Sequence, residues 1–150
     1  MKAPNRRIVL AVQGVYYLAT GLWGLLHLRS FVRVTGPKTD TWLVRTVSVL
    51  VAAIGTSLLL HARREQTQTE VHVLAMGSAV GLAGIDGYYA TRGRISKVYL
   101  LDAAAQLALA GWLLAALRTR DLGGEDVAEG RLLVKRQEPG FAAADVDAAD

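Results

Sequence analysis

Apolar residues in this chain fall into four long blocks, at 8–28, 43–62, 71–90 and 98–117, separated by short polar stretches. The first block has no acidic or basic side chain before His27, and the second has only Arg45 near its start and His61 near its end. The third contains His72 and Asp86, the fourth only Asp102. A hydrocarbon core roughly 30 Å thick takes about 20 helical residues to cross. The pattern therefore predicts four membrane-spanning helices, over about 7–28, 41–62, 70–90 and 96–117. A soluble bundle would confine its apolar residues to a stripe on each helix. These segments are apolar almost all round, so lipid is their expected surroundings.

The connections support one arrangement. "RSFVRVTGPKTDTW", residues 29–42, is the longest; within it "TGPKTD" reads as a turn, with Pro37 fixing φ and Thr39 or Asp40 suited to cap the next helix. "RREQTQTE" and "TRGRISK" join the remaining pairs. Connections this short make neighbouring helices antiparallel, so the expected fold is all-α, an up-down-up-down bundle of four transmembrane helices. Small residues in the third helix (Gly77, Gly81, Gly84, Gly87) and the fourth (Ala104, Ala108, Gly111) are expected where helices approach closely. The Gly77/Gly81 pair is also a candidate face for a homo-oligomer.

From residue 118 the character changes. The last 33 residues carry eight acidic and five basic side chains, a net −3 that leaves +7 for residues 1–117. With Gly123, Gly124, Pro139 and an alanine/aspartate ending, 118–150 reads as a polar, mostly disordered tail. The overall charge of +4 and pI near 9.7 do not indicate nucleic acid, because the basic residues collect at segment ends, as headgroup anchors do. Seven of them flank the membrane on each side, which leaves the positive-inside rule balanced; three more in the tail favour cytoplasmic termini, in a bacterial inner membrane. The first apolar run is too long for a signal-peptide core and "LLHLRS" offers no cleavage site, so it is read as a retained helix.

Helical spacing gathers the polar residues inside the bundle. Gln13, Tyr16, Thr20, Trp23 and His27 follow steps of three and four along one face of the first helix. Arg45 and Ser48 share a face of the second, Ser78, Leu82, Asp86 and Tyr89 one of the third, and Tyr99, Asp102 and Gln106 one of the fourth. Asp86 and Asp102 bracket "GYYATRGRISKVYLL" and lie four or five residues from the loop, roughly 6–8 Å below its edge. In an alternating bundle His27, Arg45, Asp86 and Asp102 fall in the same leaflet. A candidate ligand-binding or ion-pair cluster thus comprises Trp23, His27, Arg45, Asp86, Tyr89, Tyr99, Asp102 and Gln106.

Other chemistry is sparse. No cysteine is present, which excludes disulfides and thiolate catalysis. His61 and His72 with Glu65 and Glu70 are read as interfacial residues, not metal ligands, and "GPKTD" lacks phosphate-loop spacing. No nucleophile motif or dinucleotide fingerprint occurs, so neither catalytic residues nor a cofactor is assigned and the reading is non-enzymatic.

"GVYYLATGLWGLLHLRSFVRVTGPKTDTWLVRTV" (14–47) and "GIDGYYATRGRISKVYLLDA" (84–103) resemble a group of small bacterial four-helix membrane proteins, over roughly residues 8–117. The layout is similar to that of DoxX-like membrane proteins. The resemblance implies the bundle and brings no activity with it. The expectation is a structural or partner-binding membrane protein whose polar cluster locks helices together through Arg45 with Arg29 or His27. The alternatives are a pocket for a lipid or other apolar small molecule, roofed by 29–42, and proton-coupled transport.

Overall fold

The structure, a computed structural model, describes residues 5–37, 39–64 and 68–137, with side chains through Arg118. Its helices are α1 (Arg6–Leu26), α2 (Leu28–Thr35), α3 (Thr41–Ala62), α4 (Thr69–Thr91) and α5 (Val98–Gln137), and the described residues contain no strand. The chain divides into two units, Met1–Leu117 and Arg118–Asp150. Of the polar segment expected to be an irregular tail, the part up to Gln137 belongs to helix α5 and 138–150 lies outside the described residues.

Four spans are long and apolar enough to cross a membrane: Arg6–Leu26, Thr41–Ala62, Thr69–Thr91 and Val98–Arg118. The most apolar of them, Thr41–Ala62, has a mean hydropathy of 2.0 yet is only 17% buried within the protein. Outward apolar surface on that scale is stable only against lipid. The chain is a multi-pass membrane protein.

Helix α2 occupies what the polar pattern alone marks as connection. His27 takes φ −130° and ψ 53°, outside helical geometry, so α1 stops at Leu26 and a separate eight-residue helix begins. That helix ends at Gly36, whose φ of 90° suits glycine, and Pro37 follows. Asn5 caps α1 by accepting from the Arg7 backbone N–H at 3.0 Å. Asp40 occupies the corresponding position before α3 without a side-chain cap bond.

The close approach expected from Gly77, Gly81, Gly84, Gly87 and Gly111 is not where the helices meet. A Cβ at any of these positions would find nothing within 4 Å. The tight seam joins α1 to α3. A Cβ on Gly21 would lie 2.6 Å from the Ser48 carbonyl oxygen and 2.7 Å from the Ala52 nitrogen, and one on Gly55 would lie 2.6 Å from the Leu18 nitrogen. Gly14 meets Gly55 and Leu59, and Gly24 meets the Ser48 side chain. The small residues run 14, 21, 24 on α1 against 55, 52, 48 on α3, as antiparallel contact requires. Close backbone packing of this kind supplies the dispersion contacts that hold helices together where water provides no hydrophobic drive.

The bundle has two unlike ends. At the N-terminal end of α1, Val9, Leu10, Leu58, Val71, Ala75, Leu113 and Ala116 form a dry apolar core drawn from all four spans. Toward the C-terminal end of α1 the interior turns polar.

Candidate functional site: a cavity with two carboxylates

Helix α1 reaches α4 and α5 through polar side chains. Gln13 Nε2 donates to the Ala75 carbonyl at 2.8 Å. One turn on, the Tyr17 hydroxyl donates to Gln106 Oε1 at 2.9 Å, and the Tyr16 hydroxyl donates to Asp102 Oδ1. Gln13 and Gln106 are both essentially buried. Gln13 thus reaches α4, and one turn later Tyr16 and Tyr17 both reach α5.

Beyond the tyrosines lies a partly open cavity of about 340 Å³. Tyr16, Tyr17, Thr20 and Trp23 line it from α1, Val47, Ser48 and Val51 from α3, Leu82 and Asp86 from α4, and Val98, Tyr99, Leu101, Asp102 and Gln106 from α5. Phe31, Val34 and Thr35 of α2 cover one side. Two interactions fix that cover. Trp23 Nε1 donates to Ser30 Oγ at 2.8 Å, and the Trp23 and Phe31 rings meet edge to face with centroids 5.5 Å apart. Ser30 in turn donates to the His27 carbonyl at 2.9 Å, so the residues at the helix break also seat the aromatic pair.

Of the residues that the sequence singles out, Trp23, Asp86, Tyr99, Asp102 and Gln106 line this one cavity. His27, Arg45 and Tyr89 do not. His27 sits exposed at the α1–α2 break and Arg45 is exposed on α3. Tyr89 is exposed at the end of α4, its ring packed edge-on against Tyr88, over which the Arg92 guanidinium lies at 4.3 Å. With Trp42, which is 68% exposed, these side chains have the character of an interfacial aromatic and basic belt. Arg45 and Ser48 share a face only broadly, since three residues turn a helix by about 300°; Ser48 is buried against the seam while Arg45 points away.

The cavity also takes in residues that the polar stripe does not single out. Tyr17 carries the expected signal, four residues after Gln13 and four before the seam glycine Gly21. Phe31, Val34 and Thr35 lie in the stretch whose polar neighbours mark it as connection, although Phe31 and Thr35 stand one helical turn apart.

A carboxylate inside the apolar region costs on the order of 3 kcal/mol at the bilayer centre and less toward an interface. Asp86 is only 7% exposed and borders the cavity, and Asp102 is held by the Tyr16 phenol. The phenols can donate to a ligand, a carboxylate can accept from one, and the valine, leucine and aromatic residues make the rest of the wall apolar. No family model, curated protein or solved structure matches this chain, so a functional reading has to be built on the cavity.

Proposed function

We propose that this membrane protein binds a small amphipathic molecule in the cavity between α1 and its neighbours. The observation that carries the reading is the cavity itself. A volume of about 340 Å³, apolar over most of its wall and furnished with a few convergent polar groups, is how small-molecule sites are built. In this reading α2 is the cover, and the chain sits in a bacterial inner membrane with both termini cytoplasmic, supported by the additional basic residues Arg131, Lys135 and Arg136.

Native mass spectrometry of the full chain released from nanodiscs tests the proposal. The expected result is an adduct of defined small mass that is lost in Leu82→Trp, which fills the cavity, and kept in Val80→Trp, one face away and exposed. A wild-type protein that carries no adduct and takes up none from an added lipid extract would overturn it.

A further inference from the structure

The wall of the cavity changes character with depth. Its described lining residues that are exposed are Val34 of α2, Val47 of α3, and Val98 and Leu101 of α5, all of them apolar. Leu101, one turn into α5, is 73% exposed. Gln106 is only 2% exposed and lies more than two turns into the same helix, about 12 Å beyond Val98 along its axis. There it accepts from the buried Tyr17 hydroxyl at 2.9 Å. The cavity therefore has an apolar rim and a floor that carries hydrogen-bonding groups.

The rim lies within the spans. Val47 is about 9 Å along α3 from its start at Thr41, and an exposed side chain at that depth meets acyl chains. Helix α2 marks the upper boundary: Arg29 and Arg33 are exposed one turn apart, as headgroup anchors are, while Phe31, Val34 and Thr35 turn to the cavity on its other side. A volume of about 340 Å³ is at the low end of the roughly 300–1,000 Å³ that ligand sites span, room for a compact head and the start of a chain. A hydroxyl both donates and accepts, so it can pair with phenol, amide or carboxylate. From this combination we propose that the ligand is a single-chain lipid with a compact hydroxylated head, taken sideways from the leaflet. Its head reaches the level of Tyr17 and Gln106, and its chain passes out over the exposed valine and leucine rim into the bilayer. The inference rests on the cavity being a ligand site, and it adds the ligand's class, orientation and route.

The test uses the full-length protein in nanodiscs. Hexadecanol carrying a photoactivatable diazirine, either beside its hydroxyl or at mid-chain, is photolysed in the bilayer, and labelled residues are read by peptide mass spectrometry with and without excess unlabelled hexadecanol. Competed label is expected at Val51 and Leu82 from the hydroxyl-end probe, and at Val47, Val98 and Leu101 from the mid-chain probe. Label at Val80, exposed on another face, should not be competed. Octanol, dodecanol and hexadecanol should compete within about threefold of one another at equal mole fraction in the bilayer, because lipid is as apolar as the rim the chain crosses. Val47→Trp combined with Leu101→Trp narrows the mouth at two exposed positions and should remove the competed label at both depths, whereas Val80→Trp keeps it. The wild-type label map and chain series decide the matter even if a variant does not fold. A wider spread with chain length, a label map reversed in depth, or undiminished label in the double variant overturns the orientation and route and leaves the ligand site standing. Absence of competed label from both probes overturns the inference; whether the ligand site falls with it is read from the adduct in native mass spectra.

Discussion

Tyr16 of α1 donates its hydroxyl hydrogen to Asp102 of α5, tying two helices whose sequence positions are 86 residues apart. The bond explains how a carboxylate is held at that depth, and it makes a prediction with two arms. Tyr16→Phe removes the donor and keeps the ring, leaving Asp102 without the phenol; the expected loss is about 1–2 kcal/mol. Asp102→Asn keeps an acceptor oxygen for the phenol and should cost less. Thermal unfolding in mild detergent measures both, and the double variant should be less destabilised than the two singles together. Strict additivity would show that the two groups are not coupled.

The α1–α3 seam supports a second contrast. At Gly21 an added methyl group meets backbone atoms of α3 at 2.6 and 2.7 Å, and backbone cannot step aside as a side chain can. Gly21→Ala should therefore destabilise the fold by about 1–3 kcal/mol or more, as overpacking does. At Gly81 the same methyl group meets nothing within 4 Å. Gly81→Ala should be neutral or stabilising by up to about 1 kcal/mol, the ordinary helix preference for alanine. The comparison is read from melting temperatures of the two variants side by side. A larger loss at Gly81 would place an unseen partner on the outer face of α4.

These two sites also show why the sequence carries some of the architecture and not the rest. Four spans follow from hydropathy because lipid imposes length and apolarity on each helix separately. Asp86 and Asp102 line one cavity, as helical rise and a short hairpin lead one to expect. Which glycine face turns inward is a property of two helices at once. Gly77 and Gly81 carry the familiar four-residue spacing yet face outward, whereas Gly14, Gly21 and Gly24 are spaced seven and three apart and find their complement only in Ser48, Ala52 and Gly55. Likewise α2 escapes a hydropathy reading because eight residues with two arginines are neither span nor obvious turn. Its aromatic contact with Trp23 is what makes it part of the site.

Trp23 has a structural consequence of its own. Its indole N–H bonds Ser30 and its ring edge packs with Phe31, so it fastens α2 over the cavity at two points. Trp23→Phe removes the hydrogen bond and shortens the ring contact, at an expected cost of about 0.5–1.5 kcal/mol to the docking of α2. Hydrogen exchange of the amides of α2 should rise by roughly tenfold at most, while the amides of α3 across the seam keep their rates. Ser30→Ala should produce the milder half of the same effect. Unchanged exchange in α2 for both variants would mean that the cover is held by other contacts.

The chain has no cysteine, so single cysteines report the path of the backbone through the membrane against a blank background. With α1, α3, α4 and α5 each crossing once, Arg33→Cys in α2 and Arg94→Cys between α4 and α5 lie on one side, and Arg64→Cys, just past α3, lies on the other. All three positions are exposed, so a membrane-impermeant maleimide reaches each of them from its own side only. In intact cells Arg33→Cys and Arg94→Cys should label together, and Arg64→Cys only after permeabilisation, if both termini are cytoplasmic. The opposite pairing would reverse the orientation while keeping four crossings. Labelling of Arg64→Cys together with Arg94→Cys would remove one crossing, α4, and with it the placement of Asp86 and Asp102 at a common depth.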